Sequence, residues 1–199
     1  RVVSEGIASP QQVDTVMREA ARFRMGPFEL FDLTGLDVSS AVLSQIYDGF
    51  FQESRYKPVP LVRRQIEGGL YGRKTGRGFY VYEDGRAVLE EERPSVAWRP
   101  APVWLSASDR ARHGWVADRL SSLGIELDDA DKPVAEAIVA VLPLGDDATT
   151  TAVSADHDLE RVIAIDPLLP DAGRLTLMPT VATHTAARDS LHGMIVEGG

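Results

Sequence analysis

The apolar positions in the first part of the chain recur at the spacing of α-helices. Between residues 13 and 20 they fall at i, i+3, i+4 and i+7, directly after Ser9 and Gln12, which have the spacing of a capping box. Val38, Val42, Ile46 and Phe50 recur every four residues and predict another helix to about Gln52, and a short basic helix is predicted over 61–67. We therefore predict that the first part of the chain forms a helical domain.

The segment Met25–Asp37 interrupts this pattern and predicts a corner between helices. Gly26 would let the chain reverse, and Pro27 would fix φ at the start of a short helix. Thr34-Gly35 would end that helix, and Asp37 would cap the next one. We expect the first domain to be organised around this corner, with its aromatic side chains buried and its outer surface facing a ligand or a partner.

Short apolar runs rich in Val, Ile and Leu alternate with helical stretches in the second part of the chain. The runs lie at 103–107, 125–128, 137–142, 162–166 and 175–178. Strands that are apolar on both faces and alternate with helices predict a parallel sheet covered by helices. The predicted fold class is therefore α + α/β, with a helical domain at 1–89, a proline-punctuated linker at 90–102 and a small Rossmann-like domain at 103–199.

Charge and composition exclude several classes of function. The net charge of −9 is uneven, since residues up to Tyr82 carry +2 and residues from Glu83 onward carry −11. The acidic half would repel nucleic acid. The chain contains no cysteine and no apolar run long enough to cross a membrane. Residues 1–6 lack the apolar region of a signal peptide, so we expect a cytoplasmic protein; because no Met starts the chain, we also expect Arg1 to lie inside a larger polypeptide.

Glycines and cations lie together in the segment Gly72–Tyr82. A Walker phosphate loop needs glycine directly before lysine, whereas Arg73 precedes Lys74 here. Gly76-Arg77-Gly78 is half of a dinucleotide fingerprint and lacks the third glycine. We therefore predict a glycine-kinked turn into a short strand, followed by a hairpin turn at Asp84-Gly85.

A dinucleotide site in the second domain would need a glycine-rich turn after the first strand, because backbone N–H groups must approach the pyrophosphate. The turn Ser106–Arg112 contains no glycine, and Asp109 would place a negative charge near the phosphates. The acid expected after the second strand is present as Asp128 or Asp129, but Asp is common at that position. We therefore predict no cofactor-binding residues in this chain. The scattered histidines have no metal-ligand spacing, so we also predict no metal site.

Three motifs of the first part resemble the C-terminal helical domain of 3-hydroxyacyl-CoA dehydrogenases. They are Glu5-Gly6-Ile7-Ala8, the Met-Gly-Pro-Phe corner of Met25–Asp37, and Gly72–Tyr80, in the family's order. Enzymes of this family oxidise the 3-hydroxyl of an acyl-CoA with NAD, which is carried by an N-terminal Rossmann domain. Their helical domain closes over the acyl chain and forms the dimer. The resemblance therefore implies an acyl-CoA substrate, NAD as the cofactor of the parent enzyme, and a homodimer.

The resemblance also implies candidate site residues. Gly26, Pro27 and Phe28 correspond to the part of the family that lies near the acyl-CoA, so they are candidates for lining the substrate pocket. The alternative is that they are corner and core residues only. The three cations of the glycine-rich segment could contact CoA phosphates or form a solvated basic loop. The helical domain of the family supplies one catalytic Asn, and this chain has no Asn.

The second part resembles a shortened copy of the family's Rossmann domain, as found in longer bacterial forms. In an approximate register, Asp166 stands where the family has its catalytic His, and Leu169 stands where it has Asn. Leu142-Pro-Leu-Gly145 replaces Thr-Asn-Thr-Ser, and the Glu position falls near Leu177. Proton abstraction needs a base whose pKa lies near the working pH, and Asp166 is a poor substitute for imidazole. No catalytic residue is therefore predicted in this chain.

We interpret the chain as an internal fragment of a long NAD-dependent 3-hydroxyacyl-CoA dehydrogenase, which converts (3S)-3-hydroxyacyl-CoA to 3-oxoacyl-CoA. The fragment would supply acyl-pocket and dimerisation surface and would be inactive alone. The alternative is a non-enzymatic scaffold or dimerisation module. A third interpretation, an independent NAD-binding protein, is disfavoured by the glycine-free turn after the first strand.

Overall fold

The computed structural model describes residues 1–90, 97–170 and 173–198. The chain divides into two compact units, Arg1–Glu92 (unit 1) and Arg93–Gly199 (unit 2). Residues 91–96 of the predicted linker lie outside the described residues, so the predicted domain boundaries at residues 89 and 102 stay a prediction.

Unit 1 consists of short helices followed by a β-hairpin. Its helices are Pro10–Thr15 (α1), Pro27–Thr34 (α2), Leu36–Gly49 (α3) and Pro60–Glu67 (α4), with 3-10 turns at Ser54–Tyr56 and Arg73–Thr75. Val81–Glu83 (β1) pairs antiparallel with Arg86–Val88 (β2). The predicted hairpin turn is therefore present at Asp84-Gly85, where both residues have positive φ.

The predicted capping box begins α1. The Ser9 hydroxyl accepts a hydrogen bond from the backbone N–H of Gln12 at 3.2 Å, and the Gln12 side chain accepts one from the Ser9 N–H at 2.9 Å. The helix continues as a π-helical turn over Val16–Ala20 and ends there. This end lies earlier than the predicted end near Arg24, and the backbone at Arg22 is left-handed with φ 58°.

Gly35, not Asp37, is the residue that joins α2 to α3. Gly35 has φ 90°, which favours glycine, and it stands directly before α3. The prediction that Asp37 caps this helix is therefore wrong. Asp37 lies in the first turn of α3, and both of its carboxylate oxygens accept hydrogen bonds from Lys74 Nζ at 2.6 Å. These hydrogen bonds lower the pKa of Asp37 below its ordinary value.

The corner buries acids and exposes leucines. We expected its aromatic side chains to be buried, but the rings of Phe28 and Phe31 are only half-buried, and Leu30 and Leu33 are each 50% exposed. The completely buried position of α2 is Asp32 instead. Helical periodicity predicted an amphipathic helix correctly, but it could not tell which face was inward, because the inward face carries a carboxylate.

Unit 2 contains a mixed sheet with helices packed on it. Its strands are Val103–Leu105 (β3), Leu127–Asp128 (β4), Ile138–Val141 (β5), Val162–Ile165 (β6) and Leu177–Pro179 (β7). Its helices are Ala107–Arg112 (α5), Gly114–Ser122 (α6), Ala148–Ser154 (α7) and Thr185–Gly198 (α8). The predicted alternation of strands and helices is therefore present.

The strand order is β4-β3-β5-β6-β7. The first four strands pair in parallel, whereas β7 pairs antiparallel with β6, so the prediction of a wholly parallel sheet is wrong at this edge. The reason is the length of the connection. Only residues 166–176 lie between β6 and β7, and a parallel return needs a crossover of about a dozen or more residues.

Apolar side chains fill both faces of this sheet. One cluster contains Val103, Leu105 and Ile163 and packs under α6 and α8, while the other contains Trp104, Val139 and Val162 and packs under α7. Burial on both faces explains why the strands read as continuous apolar runs. The parallel strands place their carboxyl ends at one edge, which is where open α/β sheets bind ligands.

Candidate functional site

The corner of unit 1 is held by the buried carboxylate of Asp14. Asp14 lies on α1 with 0% exposure. It accepts hydrogen bonds from the backbone N–H groups of Phe28 and Glu29, both at 2.9 Å, and from the hydroxyl of Tyr80 at 2.7 Å. These two N–H groups belong to the first turn of α2, where helices leave donors unpaired. One side chain therefore caps α2 from another helix and fixes the start of the corner.

A second buried carboxylate, that of Asp32, holds the glycine-rich segment against α2. Asp32 also has 0% exposure. It accepts hydrogen bonds from the N–H groups of Phe79 and Tyr80 at 2.9 Å and from the hydroxyl of Tyr82 at 3.2 Å. Residues almost fifty positions apart are thereby joined, and Tyr80 contacts both acids because its N–H reaches Asp32 and its hydroxyl reaches Asp14.

The glycines of both motifs leave room for these acids. A Cβ at Gly26 would lie 2.2 Å from Asp14 Cγ, and a Cβ at Gly78 would lie 2.2 Å from Asp32 Oδ1. Gly26 has φ −71°, an ordinary value, so it is needed for the close approach of Asp14 and not for the chain reversal that the sequence suggested. The Met-Gly-Pro-Phe and Gly-Arg-Gly-Phe-Tyr motifs thus each serve one buried carboxylate.

The predicted pocket residues all lie at this corner. Gly26 is buried before α2, Pro27 is the first residue of the helix, and Phe28 is half-buried. The ring of Phe28 meets the ring of Phe79 edge-on, with centroids 4.6 Å apart, and Phe31 completes the aromatic cluster. The structure therefore places the three residues together at the start of α2 and gives each of them a structural role.

Burial controls the protonation of this network. It raises the pKa of Asp32, while the N–H groups of Phe79 and Tyr80 act in the opposite direction. Burial and the neighbouring acids raise the pKa of both tyrosines well above 10, with Asp14 acting on Tyr80 and Asp32 acting on Tyr82. The phenols therefore remain protonated over the physiological range and serve as hydrogen-bond donors.

The cations of the glycine-rich segment have different surroundings. Lys74 is paired with Asp37, and Arg73 donates to the carbonyl oxygen of Gly85. Arg77 is exposed. Whether these three cations contact phosphates or form a solvated basic loop stays a prediction, since Lys74 and Arg73 bind groups of unit 1 and Arg77 is exposed.

The first βα turn of unit 2 does not fit a dinucleotide. Ser106 caps α5 by accepting from the Asp109 N–H at 3.0 Å. The carboxylate of Asp128, the expected partner of a ribose, accepts hydrogen bonds from the N–H groups of Ala130 and Val134 of its own loop, both at 3.1 Å. With no glycine in the turn and both oxygens of this acid engaged, the residues present do not form a cradle for NAD.

The other candidate residues, Asp166 and the possible metal ligands, form no catalytic or metal-binding cluster in the part of the chain that the structure describes. Asp166 accepts a hydrogen bond from the Leu168 N–H at 2.9 Å, so its carboxylate shapes its own loop. Across the three described ranges, no group of three or more His, Asp or Glu side chains could hold a metal ion. Over the same ranges, no helix is long and apolar enough to cross a membrane.

Sequence reasoning missed the two buried acids. Asp14 follows Val13, and Asp32 lies between Phe31 and Leu33, so nothing in the helical pattern distinguishes these acids from residues of a solvent-exposed face. The available signal was the set of glycines at 26 and 78. Glycine at a position that does not need positive φ often marks a close approach by another group.

Residues 1–82 match the family described as 3-hydroxyacyl-CoA dehydrogenase, C-terminal domain. The family resemblance of the first part is confirmed. A probable 3-hydroxybutyryl-CoA dehydrogenase of Bacillus subtilis (strain 168) is 40% identical over 82 residues, which are 41% of this chain and 28% of that protein. The 3-hydroxyadipyl-CoA dehydrogenase of Escherichia coli (strain K12) is 38% identical over 104 residues, which are 52% of this chain and 22% of that protein.

A crystal structure of 3-hydroxybutyryl-CoA dehydrogenase from Escherichia coli K12 is similar along the whole chain. Its TM-score is 0.61 at 24% identity, and the similarity covers 100% of this chain and 37% of that one. This likeness shows the fold, including that of unit 2. The chain thus spans less than a third of the first curated relatives that it matches and little more than a third of the solved protein.

Replacing Asp32 by Asn should destabilise unit 1. The amide keeps the shape of the carboxylate but sets an NH2 group against a buried N–H donor, so we expect D32N to lower the free energy of unfolding by about 1–3 kcal/mol. All tyrosines lie in unit 1 and all tryptophans lie in unit 2. Urea unfolding followed by the NMR signals of the tyrosine rings therefore measures the effect on unit 1.

Asp48 provides a matched control for this substitution, because it is exposed on α3. We expect D48N to change the unfolding free energy by no more than about 0.5 kcal/mol. Equal stability of D32N and D48N would contradict the role assigned to Asp32.

Alkaline pH should destabilise unit 1 through Tyr80. Its pKa is raised in the folded protein, so its contribution to stability is present below about pH 10, where the phenol is protonated in both states. Above pH 10 the unfolded chain ionises and the folded chain does not, so stability is lost as pH rises. We expect Y80F to reduce this alkaline loss, measured as the unfolding free energy at a series of pH values.

Tyr56 serves as the control because its ring contacts that of Phe50, with centroids 4.6 Å apart, and phenylalanine preserves that contact. We expect Y56F to keep the alkaline loss of the wild type. An unchanged pH dependence in Y80F would show that the Tyr80 hydroxyl does not carry the effect.

Proposed function

We propose that this chain is part of an NAD-dependent 3-hydroxyacyl-CoA dehydrogenase that oxidises (3S)-3-hydroxyacyl-CoA to 3-oxoacyl-CoA in the cytoplasm. The observation that carries the proposal is the match of residues 1–82 to the C-terminal domain of that family. The named relatives support it, since they are dehydrogenases of 3-hydroxybutyryl-CoA and 3-hydroxyadipyl-CoA. In this proposal the chain contributes substrate and subunit contacts and supplies no catalytic residue.

Gly26, Pro27 and Phe28 form the proposed contact with the acyl chain. The buried Asp14 fixes the backbone at Phe28, so the surface of the corner has a defined shape before any ligand arrives. Phe28 and Phe31 are half-buried, and Leu30 beside them is 50% exposed. Apolar side chains on a rigid element suit a thioester-linked alkyl chain, which they would orient and shield from water.

The exposed face of α3 forms the proposed dimerisation surface. Val38, Val42, Ile46 and Phe50 follow one another at intervals of four residues, and all are exposed in the isolated chain. A contiguous apolar stripe of this kind commonly marks a protein interface. A helix stripe can also pair with its own copy about a two-fold axis. A homodimer formed through α3 would cover it.

NAD is proposed as the cofactor of the whole enzyme and not as a ligand of this chain. The turn after β3 and the engaged carboxylate of Asp128 do not fit a dinucleotide. We therefore expect the 199-residue chain to show no dehydrogenase activity with 3-oxobutyryl-CoA and NADH. Turnover by the chain alone would contradict this part of the proposal.

A domain exchange tests the proposed contribution of unit 1. Residues 1–82 of this chain replace the matched segment of the Bacillus subtilis relative, and NADH consumption with 3-oxobutyryl-CoA is measured. We expect kcat/KM to stay within about a hundredfold of the parent, because the corner and its acyl contacts are kept. The same chimera carrying Asp14→Asn should lose more activity, since the corner loses an acceptor.

The alternative function is a non-enzymatic scaffold or dimerisation module. The observation that favours it is the absence of a dinucleotide cradle in the described part of unit 2. The domain exchange distinguishes the enzyme from the scaffold, because a domain that serves only as a scaffold is not expected to complete an acyl-CoA site. A chimera that is folded and monodisperse but inactive would support the scaffold and contradict the enzyme.

Dimerisation through α3 gives its own prediction. Val42→Asp places a charge in the middle of the apolar stripe, so we expect the dimer dissociation constant of the chain to rise at least about tenfold. Ser44→Asp adds the same charge at an exposed position of α3 outside the stripe and should have little effect. Sedimentation equilibrium measures both, and equal dissociation constants for the two variants would contradict the assignment.

A further inference from the structure

Arg110 lies across the carboxyl ends of two neighbouring strands in unit 2. Its Nε donates a hydrogen bond to the carbonyl oxygen of Leu105, the last residue of β3, at 2.9 Å. Its Nη2 donates to the carbonyl oxygen of Asp128, the last residue of β4. The guanidinium group therefore bridges β3 and β4 at the edge of the sheet where their main chains separate.

The groups around Arg110 are also engaged within unit 2. The Asp128 carboxylate accepts from two N–H groups of its own loop, and Trp104 Nε1 donates to the carbonyl oxygen of Ala130 in the same loop at 2.8 Å. The Ser106 hydroxyl caps α5. These polar groups are thus engaged within unit 2, and Arg110 joins the end of β3 to the end of β4.

This position is the one at which doubly wound sheets bind ligands. The strand that follows β3 in the chain, β4, lies on one side of it, and the next strand, β5, lies on the other side. The direction in which strands are added to the sheet therefore reverses at β3. In such sheets the crevice outside the carboxyl ends at the reversal holds the ligand, and a bound dinucleotide contributes contacts to both strands. In unit 2 a charged side chain of the protein makes contacts to both strand ends instead.

We propose that Arg110 closes the ligand crevice of unit 2 and replaces a bound ligand as the clamp between β3 and β4. Its two donors are held in a fixed fork, so a single side chain can satisfy two carbonyl oxygens, and hydrogen bonds from a charged donor are stronger than neutral ones. The sheet is then stable without a ligand, and unit 2 acts as a structural module. This inference concerns unit 2 alone and does not depend on the proposed function.

The test uses the full chain and reads unit 2 by tryptophan fluorescence, because all tryptophans lie in it. Thermal unfolding is compared for the wild type, R110A and R110K, each with and without millimolar NAD. We expect R110A to lower the midpoint by at least about 4 °C, since two carbonyl oxygens lose their donor. Lysine has one ammonium group and no fork, so R110K should fall between the other two. NAD should shift none of the midpoints.

Arg112 supplies the matched control, since it is exposed on the same short helix. R112A should melt like the wild type. If R110A does not fold, R110K against the wild type still measures the loss of the bridge. Equal midpoints for R110A, R110K and R112A would overturn the clamp, and an increase of the wild-type midpoint by NAD would overturn the closed crevice.

Discussion

The burial of two ionisable acids is the constraint on which unit 1 depends. A carboxylate removed from water is costly unless hydrogen bonds replace its hydration, so Asp14 and Asp32 can be buried only where donors converge on them. Those donors come from α2, from the glycine-rich segment and from Tyr80 and Tyr82. The acids therefore fix segments that are far apart in the chain and require glycine where the backbone passes closest to them.

This polar core has a consequence for the surface of unit 1. Because α2 turns Asp32 inward, Leu30 and Leu33 of the same helix face outward. The apolar stripe of α3 is exposed as well. These side chains remain available, which is why the proposed acyl and subunit contacts lie on the outside of the corner. Unit 2 shows the complementary arrangement, since its apolar residues fill the sheet and Arg110 covers the edge where a ligand would lie.

Sequence patterns predicted the helices, strands and turns better than the contacts between these elements. The Ser9 capping box, the hairpin turn and the alternating strands of unit 2 are local features, and local propensity predicts them. The direction of β7 depends on connection length, and the inward face of α2 depends on donors some fifty residues away. Neither the direction of β7 nor the inward face of α2 can be predicted from the spacing of apolar residues along the chain. The assignment of Gly26 to a turn failed for the same reason, because the requirement comes from Asp14 and not from φ.

Two buried carboxylates join the corner to the glycine-rich segment, and this connection can be tested by hydrogen exchange of the amides of Phe28, Glu29, Phe79 and Tyr80. If the acids hold these N–H groups, all four amides will exchange only through global unfolding of unit 1, with similar protection. If Phe79 and Tyr80 exchange as fast as exposed loop amides while the helices stay protected, the carboxylates do not join these segments.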